Sequence, residues 1–304
     1  MMLTIITPTY NRKNLLNKLY DSLKNQTSHE FEWIIVDDGS SDGTKESVKN
    51  IKENATIDIN YIYKENGGKH TAINVGAKQA KGELITIIDS DDTLLPDAVE
   101  TINSDWLKYK DNKSLAGLSY KRKLINPIAT ATKNDTVEGI SNPIKIANDG
   151  IQQDRAFVYR REVWLEFPFP EINGENFLRE ACFFYDVARK YDTLYINKEV
   201  RVTEYMNDGL TYNIFKKEIT NPKGEMINHE KMLSKDFKLS IRLREAIVYN
   251  AFANFAKVDF FSRLPKGKGF IVTITKIPGD LLYIKWRKRY DEVQKNDNKQ
   301  GMKE

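Results

Sequence analysis

Cysteine is almost absent from this chain of 304 residues. Cys182 stands alone, which excludes an internal disulfide and a cysteine zinc site. A lone thiol suits a core position in a reducing compartment, and the cytoplasm is the expected location. Histidine is also scarce: His29, His70 and His229 lie far apart and show no metal spacing such as His-Glu-x-x-His. No stretch approaches the roughly 20 apolar residues of a membrane-crossing helix. The opening, MMLTIITPTYNR, lacks the basic start and unbroken apolar core of a secretory signal. Missing too is a Gly-x-x-x-x-Gly-Lys-Ser/Thr phosphate loop.

What is present describes a globular protein, with 40% hydrophobic and 30% charged residues. The length exceeds one ordinary domain. A net charge of +4 conceals an asymmetry. Residues 263–289 hold eight Lys or Arg against one acid, Asp280, so the rest of the chain is net −3. The bulk is mildly acidic, and nucleic acid is not an expected partner.

Strand-like and helix-like runs alternate through the first 120 residues. Strands are predicted over 3–7, 32–36, 57–63, 84–88 and 115–120. Between them, 14–26 carries Leu15, Leu16, Leu19 and Leu23 at helical spacing. Further helices are predicted around Val48 and Ile51, over 70–80, and from Pro96 through Val99, Ile102 and Trp106. Repeated β then α units imply an α/β fold, a doubly wound, mostly parallel sheet with helices on both faces. Residues 121–148 read as loops or an insertion. A helix over 177–191 would place Phe177, Ala181, Phe184, Ala188 and Tyr191 on one face, with Glu180 at its margin. Residues 240–264 read as a helix of the C-terminal region. The stretch 267–286 mixes apolar and basic residues. It suits a segment lying on an anionic membrane surface, and equally a solvated basic helix or an oligomer contact. The expected divisions are 1–120, 121–215 and a helical, basic extension over 216–304.

Four strand exits carry polar, turn-forming sequences: Pro8-Thr9-Tyr10-Asn11-Arg12, Asp37-Asp38-Gly39-Ser40, Asn66-Gly67-Gly68-Lys69 and Asp89-Ser90-Asp91-Asp92. In a parallel sheet these exits share one edge, where ligands bind. The last is the most telling. The apolar run 84–88 stops at three carboxylates, whose mutual repulsion calls for water, a Lys or Arg, or a hard divalent cation. Turn and helix-cap chemistry also uses such acids, but caps alone do not require paired acids on two of the four exits.

From TPTYNR to IIDSDDTLLPDAVE the chain resembles glycosyltransferase family 2, the inverting, nucleotide-sugar-dependent enzymes of GT-A fold. Through KENGGKHTAIN, the segment around Glu180 and EYMNDGLT it is similar to members that build bacterial capsule and other surface polysaccharides. The resemblance implies that Thr7, Pro8, Thr9 and Tyr10 line the nucleotide base and that Asp38 accepts a hydrogen bond from uracil. It implies that Asp89 lies near the ribose and donor sugar, and that Asp91 is a ligand of a divalent cation, Mn2+ or Mg2+. Glu180 falls about where the family's catalytic base is expected. Its follower here is Ala181, not a second acid, and Glu175 is the alternative. Many relatives carry an Arg where this chain has Ile73, and Lys69 is the residue able to supply that charge. The implied partners are a nucleotide-sugar donor, a UDP-sugar before others, and a glycan or lipid-linked acceptor; peripheral contact at the inner face of the cell membrane is an expectation of the basic, apolar stretch 263–289, beside an oligomer contact. Two other readings stay open: a nucleotidyl- or phosphotransferase, against which the missing phosphate loop counts, and a non-catalytic sugar-nucleotide-binding scaffold.

Overall fold

The structure is a computed structural model that describes residues 2–125, 136–151, 154–204 and 214–300. It divides into two compact units, one of Met1–Glu171 with Phe183–Asn207, the other of Ile172–Cys182 with Asp208–Glu304.

The first unit begins with the expected alternation: β1 (Leu3–Thr9), α1 (Lys13–Lys24), β2 (Phe31–Asp37), α2 (Thr44–Glu53), β3 (Asp58–Tyr63), α3 (Lys69–Gln79) and β4 (Leu84–Ile87). Every residue of β1, β2 and β4 is buried, as their near-continuous apolar sequences require of strands covered on both faces. On α1, Leu16, Leu19, Tyr20 and Leu23 form the buried stripe. Trp33, wholly buried in β2, donates its Nε1–H to Thr7 Oγ1 at 2.9 Å. Truncating such an indole to Ala costs about 3–5 kcal/mol.

There follow β5 (Thr93–Leu94), α4 (Ala98–Tyr109), β6 (Leu115–Ile125), β7 (Gly139–Ser141), α5 (Pro143–Asn148), β8 (Arg155–Arg160), α6 (Arg161–Glu166), α7 (Ala181–Ala188) and β9 (Asp192–Glu204). The nine-stranded sheet runs β3-β2-β1-β4-β8-β6-β9-β5, with β7 paired to β9. β1 lies parallel to β2 and β4, and β2 parallel to β3. The chain thus builds outward from β1 to β3 and then returns to the other side of β1. That reversal opens a crevice at the carboxyl ends of β1 and β4.

Beyond β4 the sheet is mixed. β8 inserts antiparallel between β4 and β6, while β9 runs parallel to β6 with three register shifts. Local periodicity cannot report such pairings, because they join segments far apart in sequence. The stretch expected to be loops is partly ordered. β6 runs on to Ile125, held by its ladder to β9, and Asn142 caps α5 by accepting from the Lys145 N–H at 3.0 Å; residues 126–135 lie outside the described ones. Two helix starts also differ from expectation. α4 begins at Ala98, which leaves Pro96 before the helix, and α7 begins at Ala181, not at 177. The stretch 177–180 is held instead by side-chain contacts described below.

The second unit contains α8 (Ile214–Thr220), α9 (Pro222–Lys231), α10 (Leu239–Phe255), α11 (Gly269–Ile274) and α12 (Lys276–Gln300) around Leu233, Ala246, Tyr249, Ile271 and Val272. α10 ends nine residues short of the predicted helix at 264. No helix among the described residues is long and apolar enough to cross a membrane.

Candidate active site

The loops leaving β1, β2 and β3 are stitched together by backbone and short polar groups. The Asp38 N–H donates to Thr9 O at 2.8 Å, and the Asn11 N–H to Ser40 Oγ at 2.8 Å. Asn11 Oδ1 accepts in return from the Ser41 N–H at 2.8 Å. Asn11 takes a left-handed φ of 52°, a conformation that Asn tolerates better than most residues. Gly39, at φ +88°, passes so close to the third loop that a Cβ there would sit 2.9 Å from Asn66 N.

Asp38 is the buried hub of this arrangement. Its Oδ1 accepts from Lys64 Nζ at 2.6 Å and the Gly67 N–H at 2.9 Å, and its Oδ2 from the Gly68 N–H at 2.7 Å. A carboxylate has about four acceptor positions, so one is left for a further donor. In the β1 exit, the Thr7 hydroxyl faces Trp33, whereas Thr9 Oγ1 is buried with no hydrogen-bond partner among the described residues and Tyr10 is exposed.

The acidic cluster lies at the exit of β4. One oxygen from each of Asp89, Asp91 and Asp92 falls within 4.8 Å of the others. Two of the three charges are answered. Lys69, first residue of α3, reaches Asp89 at 2.6 Å. Arg201 of β9 donates to buried Asp92 through Nε at 2.7 Å and through Nη2, and lies 3.7 Å from Asp89. Burial pushes the Asp89 carboxyl up, but Lys69 and Arg201 outweigh it and hold the group below the usual carboxylate range. Asp91 has no ion-pair partner among the described residues. Burial, then the charges of Asp89 and Asp92, raise its proton affinity. The cluster has the donor set of a hard divalent cation site, and Asp91 is its member without an ion-pair partner among the described residues. Ile73 is buried, and Lys69, one helical turn earlier, is the α3 cation that reaches Asp89.

The model of glycosyl transferase family 2 matches residues 4–128, the segment that carries all four of these loops. Through this segment the chain is similar to glycosyl transferase family 2. One relative of the family is the GalNAc(5)-diNAcBac-PP-undecaprenol beta-1,3-glucosyltransferase of Campylobacter jejuni. It is 40% identical over 105 residues, covering 33% of each chain. In four curated relatives the matched stretch takes in between 13% and 33% of their own length. The fold likeness extends further. S. aureus TarS 1-349 in complex with UDP-GlcNAc aligns with a TM-score of 0.61 at 16% identity, covering 96% of this chain and 92% of that one. The mannosyltransferase PcManGT from Pyrobaculum calidifontis, in complex with GDP-Man and Mn2+, aligns at 0.55 and 17% identity, covering 95% and 83%. The fold is the GT-A fold of glycosyltransferases.

Glu175 and Glu180 belong to the second unit and have different surroundings there. Glu175 accepts from the Lys223 N–H at 2.9 Å and the Gly224 N–H at 2.7 Å, which makes it the cap of α9. Asn221 Oδ1 accepts from the N–H groups of Asn176 and Phe177 at 2.7 and 3.1 Å. Arg179 is tied to Glu218 and, at 3.1 Å, to the buried Glu225. The segment before α7 is therefore clamped to α8 and α9, with half-buried Glu180 as its last residue. EYMNDGLT runs into residues 205–213, outside the described ones.

Two functional candidates escaped sequence reasoning. Arg201 stands 109 positions from Asp92 and carries no local signal. Lys64 sits beside the quoted third loop, yet nothing in that loop's sequence points it at Asp38.

Proposed function

We propose that this chain is an inverting glycosyltransferase that moves a sugar from a nucleoside-diphosphate sugar, a UDP-sugar first among them, to a hydroxyl of a glycan or lipid-linked acceptor in bacterial surface-polysaccharide synthesis. The observation that carries this reading is the uneven neutralisation of the acidic cluster. Lys69 and Arg201 satisfy Asp89 and Asp92, while Asp91 at the exit of β4 has no ion-pair partner among the described residues and a raised proton affinity. Asp91, with Asp89 beside it, would hold Mn2+ or Mg2+, which supplies positive charge for a departing diphosphate.

In this reading Asp38 uses its remaining acceptor position for the base, Thr9 and Tyr10 offer side chains to the nucleoside, and Thr7 and Pro8 shape the loop from within the strand. Asp89, held ionised by Lys69, faces the ribose and donor sugar. Glu180 takes the proton of the acceptor hydroxyl while that oxygen attacks the anomeric carbon. The electron pair of the breaking bond leaves with the diphosphate, and the centre inverts. The capping of α9 by Glu175 favours Glu180 for this task, since a carboxylate fixed on two backbone amides is poorly placed to move protons.

A thermal-shift screen of nucleotide sugars with and without Mn2+ tests the donor. A ligand that binds only the native state at a hundred times its Kd adds about 2.7 kcal/mol. A metal-dependent rise with one nucleotide family is expected. A screen in which no nucleotide sugar shifts the midpoint, with or without Mn2+, would remove the reading.

A further inference from the structure

α11 and α12 meet at Thr275, whose φ of −97° and ψ of 7° depart from helical values, yet backbone bonds bridge the junction. The Thr275 N–H donates to Ile271 O at 3.3 Å and the Gly279 N–H to Thr275 O at 3.0 Å, so the 3.6-residue period continues through the junction. Along it Phe270, Ile274, Ile277, Leu281 and Ile284 stand at i, i+4, i+7, i+11 and i+14, an arc of about 80° at 100° per residue. All five are exposed, between 53% and 81%. At 1.5 Å per residue the row is about 21 Å long.

The opposite side of α12 is already used. Gly279 lies so close to α10 that a Cβ would come 2.3 Å from Asn250 Cβ, and Tyr283 and Trp286 pack on Phe255 and Phe252 at 4.7 and 5.2 Å between ring centres. The exposed row is thus not a core face. A contiguous apolar row of this length on a surface marks a contact with something else.

Charge decides the partner. Of the eight Lys and Arg over 263–289, Lys266, Lys285, Arg287, Lys288 and Arg289 are exposed, whereas Arg263 is buried and Lys268 and Lys276 pair with Glu230 and Asp280. We propose that this row lies in the plane of an anionic lipid bilayer, its apolar side chains at the acyl boundary and the flanking lysines at headgroup phosphates. A second copy fits less well, because a two-fold contact through this face would set the same basic window against itself. The proposal stands independently of sugar transfer.

Co-sedimentation of the full chain with vesicles tests it. The wild type should pellet with equimolar phosphatidylcholine and phosphatidylglycerol, and about tenfold less with phosphatidylcholine alone. Leu281→Asp with Ile284→Asp should lose at least about tenfold in binding to the anionic vesicles, with an unchanged thermal midpoint because both side chains are exposed. Lys285→Gln with Lys288→Gln should weaken binding and flatten its salt dependence. A wild type left in the supernatant, or an aspartate variant that pellets like the wild type, overturns the proposal. So does a wild-type dimer by light scattering that becomes a monomer in the aspartate variant while vesicle binding is unaltered.

Discussion

Replacing Asp91 with Asn should stabilise the metal-free protein, the opposite of what most substitutions at a buried cluster do. Two carboxylate charges within 4.8 Å of each other repel by at least about 3.5 kcal/mol at an effective dielectric of 20. Lys69 and Arg201, within hydrogen-bonding reach of Asp89 and Asp92, cancel most of this. The residue left is on the order of 1 kcal/mol, or a rise of roughly 2–4 °C in midpoint for a domain of this size. The sign follows from the raised proton affinity of Asp91: above its folded pKa the charge costs stability, and as pH falls through that pKa the cost disappears. Differential scanning fluorimetry in EDTA at neutral pH measures the first effect. Repeating it with Mn2+ and UDP measures the second, because the wild type should gain several degrees that Asp91→Asn does not. A variant less stable than wild type in EDTA, or one with a wild-type response to Mn2+ and UDP, would refute the reasoning.

Three further outcomes follow from named contacts. Glu180→Gln should keep donor binding and lose transfer, whereas Glu175→Gln should keep transfer and lose about 1 kcal/mol of stability as a weakened helix cap; inactivity of Glu175→Gln alone moves the base there. Arg201→Gln strips the partner from buried Asp92 and should cost about 3–5 kcal/mol in urea unfolding, while Lys69→Met, at a partly exposed pair, should cost under about 1 kcal/mol yet weaken donor binding. For His229 burial lowers the proton affinity, but Glu225 and Glu245, at 3.5 and 2.6 Å, outweigh it and raise the pKa above 6.5. Its charged form therefore adds stability that is complete below pH 6.5 and fades as pH rises through the folded value. The midpoint deficit of His229→Gln should be largest in acid and shrink toward pH 8.5; a deficit that ignores pH speaks against the charge.

The four strand exits were legible because their signals are local. Each β-to-α exit carries its own acids and glycines, and a parallel sheet gathers exits along one edge whatever the loops contain. What could not be read depends on pairing across long sequence separations. Arg201 reaches Asp92 from β9, and β8 enters between β4 and β6. The start of α7 was misplaced because Phe177 continues the helical spacing, while Asn221 and Glu225 hold 176–179 in another conformation.

The central claim, sugar transfer from a nucleoside diphosphate, is tested most directly by phosphorus NMR of the chain with Mn2+, a panel of UDP-sugars and lipid-linked acceptors. One donor should be consumed with the appearance of free UDP, and not in Asp91→Asn. Release of pyrophosphate would assign nucleotidyl transfer instead, and donors that bind yet stay intact across the panel would contradict catalysis altogether.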